Sequence, residues 1–127
     1  MRALVIDDSR AMRRIVSGIL KDLGLEPYEA EHGQAALALL EDGLDPALAC
    51  VDWNMPVMDG LTFVTSVRAR PQWRSMTLMM VTTESEQSQI VRALAAGAHE
   101  YLIKPFTPDA MRAKLEILGL VRTETHA

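Results

Sequence analysis

The sequence predicts an α/β fold with a doubly wound, five-stranded parallel sheet and helices on both of its faces. Short apolar segments alternate with longer segments in which apolar residues recur every three or four positions. Five such alternations in succession are typical of parallel strands joined by helices. The chain has 127 residues, 49% of them hydrophobic, which is the size and composition of one domain with an ordinary packed core.

The predicted strands are short apolar segments. The first and third are continuously apolar, as strands covered on both faces should be. The second contains Pro27, which cannot donate a hydrogen bond to a neighbouring strand, so we expect it at an edge of the sheet. The five strands are predicted at residues 3–6, 25–31, 47–51, 77–81 and 99–103.

The predicted helices are bounded by recognisable start and stop residues. Ser9 is a candidate N-cap of the first helix, and Gly24 a candidate left-handed residue after its end. Pro71 follows the third helix, and Pro108 suits the first turn of the fifth. After the first helix, the remaining four are predicted at residues 34–43, 61–70, 86–97 and 108–120.

Apolar periodicity predicts which helix residues face the sheet. In the first helix these are Met12, Ile15, Val16, Ile19, Leu20 and Leu23. In the fourth helix they are Ile90, Val91 and Leu94.

Composition restricts the class of protein. The formal charge of −4, from 13 basic and 17 acidic residues, argues against nucleic acid or an anionic membrane as the main partner. The single cysteine, Cys50, excludes an internal disulfide and fits a reducing compartment. Neither a signal-peptide pattern nor an apolar stretch of roughly 20 residues occurs, so a cytoplasmic protein is expected. We expect one domain at residues 1–122, a frayed tail at 123–127 and no effector domain.

Polar residues follow four of the predicted strands. Taken singly, each has a plain structural explanation, since adjacent Asp residues cap helices and Thr residues occur in turns. In open α/β sheets, however, the carboxyl ends of the strands form one rim where ligands bind. The residues expected at this rim are Asp7, Asp8, Asp52, Thr82, Thr83, Lys104 and Pro105.

This rim has the composition of a metal and phosphoryl site. Two carboxylates about 4 Å apart repel by roughly 4 kcal/mol at an effective dielectric constant of about 20, so three of them require a cation beyond Lys104. Mg²⁺ prefers such oxygen ligands, and aspartate can accept a phosphoryl group covalently. Mg²⁺, Lys104 and the hydroxyl of Thr82 would together neutralise the charge of that group.

Four segments carry a resemblance to a known family: "VIDDSRAMRRIV" (5–16), "DWNMPVMDG" (52–60), "VTTE" (81–84) and "EYLIKPFT" (100–107). Over essentially its whole length the chain resembles the receiver domains of two-component response regulators, and most closely the stand-alone members that act in chemotaxis. The resemblance implies a flavodoxin-like sheet with strand order 2-1-3-4-5.

The resemblance also implies the roles of the site residues. Asp52 would be the phosphoacceptor. Asp8, Asp52 and the backbone carbonyl of Asn54 would ligate Mg²⁺, with Asp7 acting mainly through a metal-bound water. Lys104 would pair with the phosphoryl group, and its peptide bond to Pro105 would be cis.

A conformational switch follows from the same resemblance. Thr82 would move towards the phosphoryl group, and Tyr101 would rotate inward into the vacated space. The signal would leave through an output face made of Ile90, Leu94, Tyr101, Ile103 and Lys114. Ile90 and Leu94 are equally natural as core residues.

Three positions are expected to tune the lifetime of the phosphorylated state. Asn54 and Glu84 match the chemotaxis-type residues, which favours quick self-dephosphorylation. Thr83 stands where the family usually has Ala or Gly, and its bulk would slow access to the acyl phosphate. The two effects oppose each other. His32, His99 and His126 lack metal-ligand spacing and are expected at the surface.

The predicted function is that of a signalling switch rather than an enzyme. The expected partners are a histidine kinase or a histidine phosphotransfer protein, the flagellar motor switch protein and a phosphatase. Neither nucleic acid nor a membrane is expected as a partner. A monomer is expected, since no feature of the sequence demands a dimer. A phosphate sink or relay shuttle is the alternative output. A Mg²⁺-dependent phosphohydrolase is a remote alternative, because that chemistry usually needs a second Asp two residues after the nucleophile, where this chain has Asn54.

Overall fold

Five parallel strands form one sheet in the order β2-β1-β3-β4-β5 in a computed structural model, which describes residues 1–122. The strands are β1 (Arg2–Ile6), β2 (Glu26–Ala30), β3 (Leu48–Val51), β4 (Thr77–Thr82) and β5 (Glu100–Ile103). This order confirms the predicted fold class. The tail predicted at residues 123–127, with His126, lies outside the described residues.

The strands are connected by helices, as the alternating pattern predicts. They are α1 (Arg10–Asp22), α2 (Gly33–Glu41), α3 (Gly60–Arg68), α4 (Gln87–Ala96) and α5 (Pro108–Ile117). The third helix ends two residues earlier than predicted. It is followed by a short 3₁₀ turn (Pro71–Trp73), which was not predicted. No helix within residues 1–122 is long and apolar enough to cross a membrane.

Side-chain caps fix where most of these helices begin. Ser9 accepts a hydrogen bond from the backbone N–H of Met12, and Thr107 accepts one from Ala110, so the first turns of α1 and α5 have satisfied donors. The same role at α2 falls to His32, whose Nδ1 accepts from the N–H of Ala35 at 3.1 Å. His32 was predicted to be a surface residue. In the structure it is half-buried and caps α2.

The sheet separates two hydrophobic cores. Alternate residues of each strand point to opposite faces, so Leu4 belongs to one core and its neighbour Val5 to the other. Helices α2, α3 and α4 cover the first core, whereas α1 and α5 cover the second. Cys50 is a buried member of the second core, as a small apolar residue would be.

The predicted inward face of α1 is wrong at one position. Val16 and Leu20 are buried, but Ile15 is 53% exposed. Because Val16 and Leu20 are four residues apart, they define the line of contact with the sheet, and Ile15 lies a third of a turn away from it. Ser17 is buried in its place.

The predicted inward face of α4 is also wrong in part. Ile90 is half-buried against the first core, but Val91 is 57% and Leu94 42% exposed. The fully buried residue is Ala93. Its small side chain lets the helix lie close to the sheet, so the larger residues on either side of it project outward.

In each of the two edge strands, one residue lacks a free backbone N–H. Pro27 lies in β2, at one edge as predicted, and is aligned with Ala3 of β1. At the other edge, the backbone N–H of Tyr101 in β5 donates to the carboxylate of Glu100 at 2.9 Å.

Candidate functional site

Three carboxylates converge at the carboxyl ends of β1 and β3. These strands are neighbours in the sheet, so Asp7 and Asp8 after β1 lie beside Asp52 after β3. Each residue contributes one carboxylate oxygen, and these oxygens all lie within 4.8 Å of one another. Asp7 and Asp52 are buried, whereas Asp8 is exposed.

Lys104 reaches this cluster from the end of β5. Its Nζ lies 2.6 Å from Asp7 Oδ2 and 3.4 Å from Asp52 Oδ2, and its side chain is only 10% exposed. The peptide bond that follows it, to Pro105, is cis. One ammonium group thus faces three carboxylates, which leaves a net negative charge at the rim.

The carboxylate of Asp52 is poorly solvated. Burial raises its pKa above the ordinary value; the Thr82 hydroxyl and the Lys104 ammonium act in the opposite direction, while the charge of Asp7 raises the pKa further. The N–H of Trp53 donates to Asp52 Oδ1 at 2.8 Å and fixes the orientation of the group. A bound cation would stabilise the ionised form of this buried carboxylate.

Asp7 is held through nearly all of its polar atoms. Besides its ion pair with Lys104, its Oδ1 accepts from the N–H of Ser9 at 2.9 Å. Its backbone carbonyl accepts from Arg13 Nη1 at 2.7 Å, and Arg13 Nε also lies 3.3 Å from Glu29 Oε1. Arg13 was not predicted as a site residue, because no spacing rule indicates that a residue of α1 bonds to the end of β1.

Thr82 and Tyr101 are linked through the backbone of Glu84. Thr82 is fully buried, and its Oγ1 accepts from the N–H of Glu84 at 3.3 Å. The hydroxyl of Tyr101, which is 7% exposed, donates to the carbonyl of Glu84 at 2.7 Å. Burial, aided by the charges of Glu84 and Asp52, raises the pKa of Tyr101 to about 12, so this hydroxyl remains a donor at neutral pH.

The residues predicted for the output face lie on α4, β5 and α5, with different degrees of exposure. Leu94 and Ile103 are 42% and 41% exposed, Ile90 is half-buried, and Tyr101 is buried. Lys114 Nζ lies 2.9 Å from Glu100 Oε1, so this lysine is already engaged in an ion pair.

The residues predicted to tune lifetime follow the carboxyl ends of β3 and β4. Asn54 and Thr83 are exposed, and Glu84 is half-buried.

The loop after Asp52 has an apolar composition for a structural reason. Trp53 is buried, and Met55 and Met58 pack against the first core. Val57 is the exception, with 77% exposure and a φ of 68° that is rare for a β-branched residue.

Gly60 brings α3 into contact with the phosphoacceptor candidate. A Cβ atom at this position would lie 2.2 Å from the backbone oxygen of Asp52, so glycine alone allows the two segments to meet. Asp59, the residue before it, caps the helix by accepting from the N–H of Thr62 at 2.8 Å.

The donor set suits a hard divalent cation. All of its ligand atoms are carboxylate oxygens, which Mg²⁺ and Ca²⁺ prefer, and histidine and cysteine contribute none. The cluster can therefore hold a metal ion next to the buried Asp52.

A parallel sheet of order 2-1-3-4-5 with an aspartate cluster and a lysine at one rim defines a class of signalling domain. A family model for the response regulator receiver domain matches residues 3–116, and the chain belongs to this family.

The relatives are chemotaxis proteins of nearly the same length. The chain is 43% identical over 119 residues to Chemotaxis protein CheY1 of Helicobacter pylori, covering 93% of this chain and 96% of that protein. It is 46% identical over 121 residues to a Chemotaxis protein CheY homolog of Campylobacter jejuni, covering 94% and 93%. The structure of Chemotaxis response regulator CheY4 of Vibrio cholerae is similar, with a TM-score of 0.85, 35% identity and coverage of 92% and 97%.

Proposed function

We propose that this protein is a cytoplasmic signalling switch that accepts a phosphoryl group on Asp52 from a histidine kinase or a histidine phosphotransfer protein. The observation that supports this most directly is the buried carboxylate of Asp52, held beside two further carboxylates and Lys104. Membership of the receiver family supports the same assignment.

Mg²⁺ is the proposed cofactor. Asp8, Asp52 and the backbone carbonyl of Asn54 would hold it, with Asp7 acting through water. When bound, Mg²⁺ neutralises charge on the rim and on an approaching phosphoryl group. Without that neutralisation, an anionic donor would be repelled by the carboxylates.

In the transfer, a carboxylate oxygen of Asp52 forms a bond to phosphorus while the bond from phosphorus to the donor's imidazole nitrogen breaks. The imidazole leaves with the electron pair of that bond and regains its proton from solvent. Lys104, already 3.4 Å from Asp52 Oδ2, would turn its ammonium group towards the phosphoryl oxygens. Hydrolysis by water later returns phosphate and the free carboxylate.

The phosphoryl group would then act on the hydrogen bonds that link Thr82 and Tyr101 through the backbone of Glu84. The hydroxyl of Thr82 would donate to a phosphoryl oxygen. The inward rotation predicted for Tyr101 is not needed from this conformation, because Tyr101 is already buried with its hydroxyl on the carbonyl of Glu84; phosphorylation would hold it there. Because Tyr101 lies in β5 between α4 and α5, its position affects the surface made by these three elements.

The proposed output is a protein–protein contact that controls the flagellar motor. The names of the relatives, which are chemotaxis proteins, support this output. A phosphate sink or relay shuttle is the alternative. We do not propose turnover of external substrates, because the position two residues after Asp52 holds Asn54, which cannot act as a general acid or base.

Labelling with acetyl phosphate tests the phosphoacceptor. In the presence of Mg²⁺, the wild type should become phosphorylated and Asp52→Asn should not. Asp42→Asn, which removes an exposed carboxylate at the end of α2, serves as the matched control and should label like the wild type. Equal labelling of Asp52→Asn and the wild type would refute the assignment, and turnover of many phosphate esters would restore the enzyme alternative.

A pull-down distinguishes the two outputs. Phosphorylated protein should be retained by a peptide of the flagellar motor switch protein, and unphosphorylated protein much less. Retention by histidine phosphotransfer proteins alone would favour the relay function instead.

A further inference from the structure

His99 forms two hydrogen bonds to Leu78 at the end of the sheet where the strands begin. This is the end opposite to the rim that carries Asp52. The backbone N–H of His99 donates to the carbonyl of Leu78 at 2.7 Å. Its ring Nδ1 lies 3.0 Å from the N–H of Leu78 and accepts from it. The second bond requires a neutral imidazole with its proton on Nε2, because a protonated Nδ1 has no lone pair to offer.

Arg68, at the end of α3, directs all five of its N–H groups into the same region. Nε donates to the carbonyl of Gly97 at 3.0 Å, and Nη2 donates to that of Met76 at 2.8 Å. Nη1 lies 3.4 Å from the carbonyl of Trp73 and 3.2 Å from that of Arg74. Nη2 also lies 3.2 Å from Nδ1 of His99.

These contacts join four segments at one point. They connect α3, the chain after the 3₁₀ turn, the start of β4 and Gly97, which ends α4. The fit at Gly97 is close, since a Cβ atom there would lie 2.5 Å from Cγ of Arg68. The position of the C-terminal end of α4 therefore depends on Arg68, which in turn contacts His99.

We propose that His99 is a pH-sensitive latch: when neutral it holds the start of β5 and the end of α4 against β4 and Arg68, and when protonated it releases them. Protonation places a hydrogen on Nδ1 that faces both the N–H of Leu78 and the guanidinium of Arg68. Two attractive contacts thereby become repulsive.

Among the described residues, Arg68 is the charged side chain that contacts His99. Other charged groups on the surrounding elements are engaged elsewhere: Glu100 of β5 binds Lys114, Arg92 of α4 binds Gln89, and Arg70 stacks on Trp73 with 4.6 Å between its Cζ and the ring centre. Arg74 contributes its carbonyl oxygen to Arg68. No carboxylate that would favour the charged imidazole contacts His99 within residues 1–122.

The direction of the pH effect follows from this environment. His99 is an exposed residue, but desolvation of its ring and the positive charge of Arg68 lower its pKa below the ordinary value by more than the hydrogen bond with Leu78 raises it. The unfolded chain then binds a proton at a pH where the folded protein does not. Stability is therefore retained above the ordinary histidine pKa of about 6.5 and is lost as pH falls below it, towards the lower pKa of the folded state.

Thermal unfolding at pH 7.5 and pH 5.5 tests the latch with His99→Asn. The Oδ1 of asparagine can accept from the N–H of Leu78 but does not titrate. The melting temperature of the wild type should fall by about 3 °C more than that of the variant over this pH range. Gln72→Asn, which changes an exposed residue of the neighbouring 3₁₀ turn that does not titrate, should keep the wild-type pH dependence. An unchanged pH dependence in His99→Asn would overturn the proposal.

Measurements on the wild type decide the question even if the variant folds poorly. In an NMR titration, the ring of His99 should titrate below the ordinary histidine range, and the amide of Leu78 should lose its hydrogen-exchange protection over the same pH interval. A ring that titrates in or above that range, or a Leu78 amide whose protection does not change, contradicts the latch. The proposal does not depend on phosphorylation of Asp52, so the labelling experiment can fail without affecting it.

Discussion

Gly60 connects the chemistry of the site to the stability of the fold at the scale of a single residue. Gly60→Ala would push a methyl group onto the backbone oxygen of Asp52, at 2.2 Å. Because backbone must shift to relieve this contact, we expect a loss of roughly 2–4 kcal/mol in the free energy of unfolding, measured by urea denaturation.

The matched control for this substitution is Gly18→Ala. Gly18 lies within α1 and has no atom within 4 Å of the position of its missing Cβ. Alanine should raise stability there by about 0.5–1 kcal/mol, because it restricts the unfolded chain and favours the helix. Equal losses in both variants would contradict the steric explanation for Gly60.

Thr83 is expected to protect the phosphorylated state. It is exposed and directly follows the buried Thr82 at the rim, and its side chain would hinder water near the acyl phosphate proposed on Asp52. Thr83→Ala should shorten the phosphorylated lifetime by a few-fold, measured as decay of label after the donor is removed. Thr62→Ala, at an exposed position of α3, should decay like the wild type. A longer or unchanged lifetime in Thr83→Ala would show that its bulk has no such effect.

Ionised Asp52 is expected to destabilise the fold when no metal is bound. Its pKa is raised in the folded state, mainly by burial, so the folded protein binds a proton more readily than the unfolded chain. Asp52→Asn should therefore raise the melting temperature near pH 7 in the absence of Mg²⁺. The difference from the wild type should shrink as pH falls through the pKa of Asp52, and a variant less stable than the wild type at pH 7 would exclude this account.

Which site residues the sequence could predict depends on how they reach the site. Asp7, Asp52 and Lys104 follow strands whose ends must meet, so topology alone brings them together. Arg13 and His99 were not assigned their contacts, because these depend on how far a side chain extends from one element to the backbone of another.

At the scale of elements, the exposure of a residue on α4 should determine how much its substitution lowers stability. Leu94→Ser should cost less than about 1 kcal/mol, because Leu94 is 42% exposed. Ala93→Leu should cost roughly 1–3 kcal/mol, because it adds volume to a filled core. Chemical denaturation of both variants measures the two losses of stability. A larger loss for Leu94→Ser than for Ala93→Leu would indicate that α4 is rotated differently about its axis.

Element types were easier to predict than the orientation of helices. The alternating pattern was sufficient for five strands and five helices, since it depends on many residues at once. The rotation of α4 was not predictable from periodicity, because the buried position is the small Ala93 and the larger Val91 and Leu94 have the stronger apolar signal.

At the scale of the whole molecule, Mg²⁺ should act as a stabilising ligand. If it binds the folded state alone, a concentration 100 times its Kd adds about 2.7 kcal/mol to the free energy of unfolding. Thermal unfolding with Mg²⁺ and with a chelator measures this difference. Asp52→Asn should abolish most of it and Asp42→Asn should not; a wild type that is insensitive to Mg²⁺ would contradict the proposed cofactor.

The two edges of the sheet bear on how the protein behaves at high concentration. Pro27 interrupts the row of backbone donors along β2, and the carboxylate of Glu100 occupies the N–H of Tyr101 along β5. A strand from another molecule would find neither edge ready to extend by regular pairing. Resistance to aggregation is thus provided by one residue at each edge, and Glu100→Ala is where we would expect that resistance to weaken first.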